Sequence, residues 1–503
     1  MAVNKRTISV NIFFSLLQII VIGIVYYFLY KFLLTRLGAE IMGVWAIVLS
    51  ISSTANIANL GIANSVIRYT SKYLVNNEIQ KINRIIHTSF ILLSCVFIII
   101  LCIVFLIAPW WLRGVISGQY YPIAISLVPY SLICLILNAT SSIFVSGIDG
   151  LQKNYIKSVL VIISTLLLLF FSFLFVPKFG LIGVAYAQLI QASVLWLSSL
   201  AALKIIFRPL QVFRLKWDKE EFKNIFSFGI KEQIISICQL GFDPLTKSLL
   251  GVYGSLNQVT YYEMANRLIT QLRSILVSIN QVFIPVYTAA SELVENGERK
   301  IFGEVFKINF ILSLLWLSFI ISTIIPVSII WIGSVNNDFV FITIALAVAY
   351  FCNIFITPQY FANIANARLN NNVISNVIIT LLNILLCYLL GSFLGGYGVV
   401  AGWGIALAIG SLYVVLAPST YKIGIKEIVR GNDRLVVILC IIFCSGCFVF
   451  LLNNEGINVW LMFLFASFIL GVLFLLINKI HPFGRKILNL VKSKNAVKIP
   501  EYE

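Results

Sequence analysis

The chain has 503 residues, of which 60% are hydrophobic and only 11% charged; its mean hydropathy is +0.99 and its formal net charge +17. A water-soluble domain of that composition would expose apolar surface well beyond what soluble proteins carry, so lipid must cover it. The basic residues are scattered over alternate short loops and the tail instead of forming one face, which argues against nucleic acid as the partner and fits the positive-inside bias of membrane proteins.

In chain order, apolar runs of about 20 residues, each long enough to cross a bilayer, predict spans at 8–34, 41–67, 88–108, 122–146, 156–176, 180–203, 226–250, 257–286, 306–331, 339–365, 373–394, 397–420, 435–452 and 458–478. The fold class is therefore an all-α polytopic membrane protein of about fourteen helices. With the N-terminus in the cytoplasm, about 28 of the 36 Lys and Arg fall in cytoplasmic segments and about four in external loops, which places both termini in the cytoplasm. The first run is too long for a signal peptide and no small-residue site follows it, so it is expected to stay as helix 1. The densest basic clusters, Lys204 to Lys223 and Lys479 to Lys498, read as topogenic charge runs or as contacts to anionic membrane lipids. All nine cysteines lie inside predicted spans, so no disulfide is expected. Cys440, Cys444 and Cys447 share a helical face with no His or acid beside them and read as small core residues.

Three landmarks recur at an offset of about 217, the signature of duplicated transporter halves. Leu37-Gly38 with Gly43 and Trp45 matches Tyr253-Gly254 with Val259 and Tyr261. Ala108-Pro109 matches Ile325-Pro326, and Phe179-Gly180-Leu181-Ile182-Gly183-Val184 matches Tyr397-Gly398-Val399-Val400-Ala401-Gly402. Any one of these could be chance; their agreement favours duplication. The expected organisation is an N-lobe at 1–203 (helices 1–6), a basic cytoplasmic linker at 204–224, a C-lobe at 225–432 (helices 7–12), an extra helix pair at 433–480 and a basic cytoplasmic tail at 481–503. Six helices per half relate the two pseudo-symmetric lobes by an axis along the membrane normal, with a substrate path expected in the cleft between them.

Ionisable residues inside two adjacent runs are the exception to this apolar pattern, and such residues are costly and usually functional. In the seventh run Glu232, Ser236, Gln239, Asp243 and Lys247 form one helical stripe; in the eighth Glu263, Arg267, Thr270, Ser274, Ser278 and Gln281 form another, with Arg273 about 120° around from Arg267. With opposed helix directions, Asp243 and Lys247 come level with Glu263 and Arg267 in the outer half, Arg273 near the midplane, and Lys231 and Glu232 nearer the cytoplasm. Two readings stay open: a hydrated cavity whose cations receive an anionic headgroup, or internal pairing, since Asp243 with Lys247 and Glu263 with Arg267 have i,i+4 spacing. Lys31 corresponds to Lys247 by the repeat and either faces the cleft or snorkels to the outer interface. Asn11, Ser15 and Gln18 in span 1 and Ser53, Asn56, Asn59 and Asn64 in span 2 put helices 1, 2, 7 and 8 around the cavity. Pro129, Pro244 and Pro358, in mid-span positions, are hinges or static kinks.

The segments Arg36-Leu37-Gly38 into Gly43-Val44-Trp45, then Asn59-Leu60-Gly61-Ile62-Ala63 to Ile67-Arg68-Tyr69, resemble the first hairpin of bacterial polysaccharide-repeat flippases, and so does Tyr261-Tyr262-Glu263-Met264-Ala265-Asn266-Arg267-Leu268. These are Wzx-type members of the multidrug/oligosaccharidyl-lipid/polysaccharide exporter superfamily. The resemblance covers residues 8 to 480 in helix count and repeat plan. It implies a flippase of the bacterial plasma (inner) membrane that turns undecaprenyl-diphosphate-linked oligosaccharides to the outer leaflet by alternating access, for O-antigen or capsule assembly. The implied substrate-binding cations are Lys247, Arg267 and Arg273, with Lys31 and Lys231; the polar pattern adds Asn56, and Asp243 and Glu263 would set selectivity or couple to a proton or sodium ion. No cofactor or metal is implied beyond coupling to H+ or Na+; the partners are the lipid-linked oligosaccharide, membrane lipids, and a polymerase or other polysaccharide-assembly proteins.

Lipid II flippases share this plan but carry arginine within helix 1, where residues 8–34 have no charge before Lys31. Drug and cation antiporters of the superfamily use an acid in helix 1, absent here, and a basic cavity would repel a cationic drug. A polyprenyl-linked glycan polymerase or glycosyltransferase needs acids or a large loop on the outer face, where only Glu40, Asp338 and Glu455 fall. The sequence has no Asp-x-Asp pair and no G-x-x-x-x-G-K-[ST] run, so transport would draw on an ion gradient or product removal.

Overall fold

The computed structural model describes residues 5–58, 60–116, 118–211, 217–225, 238, 242–281, 297–365, 370–417, 432–453 and 458–480. Among these residues every regular element is a helix: α1 (Lys5–Leu37), α2 (Ala39–Ala58), α3 (Leu60–Val75), α4 (Ile79–Val115), α5 (Tyr121–Gly150), α6 (Asn154–Phe179), α7 (Leu181–Ile206), α8 (Asp243–Tyr253), α9 (Leu256–Gln281), α10 (Gly297–Ile332), α11 (Asn337–Phe355), α12 (Thr357–Ala365), α13 (Asn370–Leu416), α14 (Asn432–Leu452) and α15 (Val459–Ile480). Ten helices among the described residues are long and apolar enough to cross a membrane. The expected fourteen differ from this at identifiable places. Spans 11 and 12 are merged in α13 across a non-helical Gly395. Of span 7 the described part is mainly α8, of 11 residues; span 2 takes in α2 and the first part of α3; and α9 is rich in polar residues, Asn257, Gln258, Glu263, Asn266, Arg267 and Arg273 among them. Large apolar side chains face outward along the helices, Leu106 at 77%, Trp110 at 80% and Phe393 at 82% exposure, a surface that only lipid can cover.

Two compact units partition the chain, one formed by Met1–Gln271 and Asn376–Trp403, the other by Leu272–Ser375 and Gly404–Glu503. The boundaries fall inside α9 and α13, so this partition cuts across the linear halves expected from the repeat. In the first unit α5, α6 and α7 pack on one another, α1 lies on α6, and α2 on α5. In the second, α10 packs against α11, α14 and α15. Phe302, Phe306 and Phe310 of α10 share a buried core with Val436 and Cys440 of α14 and Leu473 and Ile477 of α15. The extra helix pair is thus anchored on α10, and Cys440 is core packing there, as its apolar setting predicts.

Two of the three sequence landmarks have like places on their helices. Pro109 lies six residues before the end of α4 at Val115, and Pro326 six before the end of α10 at Ile332. Gly38 closes α1 and Gly254 closes α8. One landmark needs a corrected register. Gly180, between α6 and α7, has φ 56° and ψ −134°; its backbone counterpart is Gly395, with φ 62° and ψ −145°, and not Gly398. Only glycine enters that conformation without strain, so the helix junction and not the similarity of flanking residues fixes the equivalence. Gly43 has a different reason: a β-carbon there would meet the Leu256 carbonyl oxygen at 2.1 Å, so α2 and the start of α9 approach through it.

Within the first unit, the segment after α7 is packed on α3 and α4. Asn83 bonds the Pro209 carbonyl and the Gln211 amide, at 3.0 and 3.1 Å, and Arg84 pairs with Asp218 at 3.1 Å. Glu221, 3% exposed, accepts the Tyr73 hydroxyl at 2.8 Å and the Asn224 amide at 3.3 Å. Lys204 is turned back onto the carbonyls of Arg208 and Leu210, so its ammonium serves the chain's own turn.

Candidate functional site

Of the three prolines read as mid-span hinges or kinks, Pro129 stands in the interior of a helix, α5, whereas Pro244 and Pro358 are the second residues of α8 and α12. Pro244 occupies the first turn of α8, where its missing N–H costs nothing, instead of bending a continuous helix. That start sets Asp243 and Lys247 one turn apart on α8, facing Glu263 and Arg267 of α9. Lys247 is 2% exposed, and its Nζ lies 2.5 Å from Asp243 Oδ2 and 2.7 Å from Glu263 Oε2. Arg267 Nη2 reaches Glu263 Oε1 at 3.4 Å. Both i,i+4 pairs foreseen as the internal-pairing reading are present, and the Lys247–Glu263 bond joins them across helices.

α1 completes this cluster. The fully buried Tyr30 donates its hydroxyl to Glu263 Oε1 at 2.6 Å and accepts Arg267 Nε at 3.3 Å. The Tyr26 ring lies under the Arg267 guanidinium at 4.2 Å, and Asn266 donates to Asp243 Oδ1 at 3.3 Å. Two carboxylates and two cations give a cluster of zero formal charge in which each ion has an opposite partner. Such pairing offsets the cost of taking charge out of water.

Arg273, in the second unit, has a different environment. Its Nε and Nη2 both donate to Asn353 Oδ1 on α11, at 3.1 and 2.7 Å, and its guanidinium lies 5.5 Å from the Tyr350 ring centroid. Tyr350 and Asn353 are one turn apart on α11 and share a face. Asn353 in turn donates to Ser411 Oγ at 3.0 Å. Among the described residues Arg273 makes no ion pair, and the groups that hold it are neutral. The end of α11 is fixed by a further bond. Pro358 has no N–H for the Ile354 carbonyl four residues back, and Asn309 Nδ2 supplies that bond at 2.7 Å while its Oδ1 accepts Asn280 Nδ2 at 2.7 Å.

The other residues named from the sequence fall elsewhere. Lys31 is exposed while Lys247 is buried, so the two share a repeat position but not an environment. Lys231, with Glu232, Ser236 and Gln239, lies outside the described residues; Asn56 is on α2, with its side chain also outside them. Sequence reasoning missed Tyr26 and Tyr30, which are aromatic residues among many on α1, and Asn353, Tyr350 and Ser411. The signal for Asn353 was an amide inside an apolar run, the feature noted for spans 1 and 2. No group of acids, histidines or cysteines among the described residues could hold a metal ion.

The family described as polysaccharide biosynthesis protein matches residues 10–294, more than half of the chain. The chain belongs to that family. No curated protein matches it by sequence. Among solved structures, it resembles an inward-facing multidrug resistance MATE family transporter of the MOP superfamily at TM-score 0.66 and 16% identity, covering 78% of this chain and 93% of that one. It resembles the lipid II flippase MurJ, in an inward closed conformation, at TM-score 0.65 and 15% identity, covering 92% and 99%. A MOP superfamily transporter from Pyrococcus furiosus matches at TM-score 0.55 and 15% identity, covering 82% and 92%. At these identities the likeness establishes the fold. The resemblance to polysaccharide flippases read from the sequence is met by the polysaccharide biosynthesis family match, and the fold is like that of MATE and MurJ structures; this family member is a multi-pass membrane protein.

Proposed function

We propose that the protein turns undecaprenyl-diphosphate-linked oligosaccharide repeat units from the inner to the outer leaflet of the bacterial plasma membrane by alternating access, for assembly of a surface polysaccharide of the O-antigen or capsule kind. The observation that carries this reading is the polysaccharide biosynthesis family match on a chain whose fold is that of transporters and of a lipid II flippase. Arg273, which makes no ion pair among the described residues, supports an anionic substrate, because a guanidinium in so apolar a chain is stabilised when an anion joins it. The diphosphate would bind cations while the polyprenyl chain stays in lipid, which avoids carrying a dianion through hydrocarbon at a cost of several kcal/mol or more. Asp243 and Glu263 are the groups through which a proton or sodium gradient would act, since neutralising either carboxylate leaves an excess cation in the cluster. Both termini lie in the cytoplasm on this reading, and a polymerase at the outer leaflet consumes the product.

The test is a deletion strain of the native host, assayed for lipid-linked oligosaccharides and surface glycan. Complete undecaprenyl-linked units should accumulate while surface polymer is lost. Incomplete units, or single units reaching the surface unpolymerised, would point to an enzyme, and an unchanged glycan profile to small-molecule export. Transport by the wild type that is indifferent to collapse of proton and sodium gradients, with Asp243→Asn equally active, removes the coupling role.

A further inference from the structure

The two arginines of α9 are held by different chemistry. Arg267 meets a carboxylate, Glu263, at 3.4 Å. Arg273 meets the neutral oxygen of Asn353, which accepts two of its N–H groups at 3.1 and 2.7 Å. A carboxylate in that position would accept the same two bonds and form a fork-like ion pair, the stronger arrangement. The position instead carries an amide, whose other end is committed: its Nδ2 donates to Ser411 Oγ at 3.0 Å. That bond turns the oxygen toward the guanidinium, since an amide nitrogen facing Arg273 would set donor against donor. Nη1, on the guanidinium edge away from Nε, makes no hydrogen bond among the described residues, and the Tyr350 ring supports the cation without cancelling its charge.

We propose that Asn353 is a positioning residue that orients Arg273 without neutralising it, and that Ser411 sets the amide, so that the guanidinium presents its full charge and its Nη1 edge to the diphosphate of a polyprenyl diphosphate. This rests on the flippase reading for the identity of the ligand; the geometry alone specifies an anion with planar, multiply accepting oxygens, as phosphate groups are. The neutrality of residue 353 is then a binding determinant. A charge placed there repels the ligand at short range and satisfies Arg273 before the ligand arrives.

The experiment uses the purified full chain in nanodiscs and measures affinity for farnesyl diphosphate, with dioctanoyl phosphatidylglycerol as a parallel probe, alongside the thermal midpoint. Asn353→Asp, nearly isosteric, is expected to weaken farnesyl diphosphate binding by at least about tenfold without lowering the thermal midpoint. Ser411→Ala, which removes the acceptor that anchors the amide nitrogen and so loosens the Asn353 side chain, is expected to weaken binding about threefold; this second variant keeps the test open if the first does not fold. Unchanged diphosphate affinity in both variants overturns the proposal, as does affinity lost only in proportion to the thermal midpoint. Tighter binding of phosphatidylglycerol than of farnesyl diphosphate overturns the assignment of the ligand. The flippase reading fails separately: if Asn353→Asp abolishes diphosphate binding while the deletion strain keeps a normal glycan profile, the positioning role stands and the flippase reading falls.

Discussion

The ion-paired cluster of α1, α8 and α9 and the Arg273 site of the second unit both place cations inside a membrane protein, and they do so by opposite means. In the first, Lys247 and Arg267 are matched by Asp243 and Glu263 and stapled by the Tyr30 hydroxyl. In the second, the acceptors among the described residues are neutral and Arg273 makes no ion pair with them. A charge that is paired contributes to keeping helices together, whereas a charge that is only oriented remains available to a ligand. The position of a cation in a transmembrane sequence therefore says less about substrate binding than the chemistry of its acceptors.

The largest effect separating the two regions should come from Lys247→Ala. Removing a cation that is 2% exposed leaves two carboxylates facing each other without it, and breaking a buried pair this way costs about 3–5 kcal/mol. Thermal unfolding in detergent should show a strongly lowered midpoint, and joint replacement with Glu263→Gln should recover part of it; a midpoint like the wild type's would mean the cluster is hydrated and its charges independent. Arg273→Ala should be milder in stability, about 2 kcal/mol for hydrogen bonds to a charged group, yet should abolish glycan export at normal protein levels. Full export by a folded Arg273→Ala protein would erase the distinction between the two regions. Tyr30→Phe removes one hydroxyl that bonds both Glu263 and Arg267, and should lower stability by about 1–2 kcal/mol with export retained.

Glu221 supplies the smallest and most specific check, because there a buried acid is held by the neutral Tyr73 and Asn224. Burial pushes its carboxyl above the ordinary range, with the nearby Asp218 and Glu220 adding to the rise and the two hydrogen bonds working against it. A raised folded-state value means that the folded protein binds the proton more tightly than the unfolded chain does. Its contribution is full below the unfolded value of about 4.3 and is lost as pH rises through the raised one. Thermal midpoints measured across that rise should fall for the wild type and should lose this component in Glu221→Gln; identical slopes would show that Glu221 is solvated.

Much of the scaffold was legible in advance because long apolar runs, helix-closing glycines and the placement of Pro109 and Pro326 are local features. The runs predicted at 156–176 and 435–452 lie within α6 and α14, both continuous apolar helices. The register of Gly180 with Gly395 was not legible, since several glycines stand nearby and only the backbone angles tell which one sits at the junction. At the candidate site, periodicity put Asp243 with Lys247 and Glu263 with Arg267, and their i,i+4 spacing was enough to foresee each pair. Opposed helix directions also brought Lys247 level with Glu263, but that the two bond, and that Tyr30 staples the pair from α1, was beyond reach, because contacts between helices are set by how they pack.

By itself the sequence determined an all-helical, lipid-embedded chain with a repeated element order and a few costly charges, because burial of twenty-residue apolar runs and the backbone's need for internal hydrogen bonds leave few alternatives in a bilayer. Only the tertiary structure decided which of those charges are spent on each other and which meets neutral acceptors. That outcome depends on whether a carboxylate or an amide from another helix lies within about 3 Å of the cation, and hydrogen-bond reach is a property of packing in space, not of spacing along one helix.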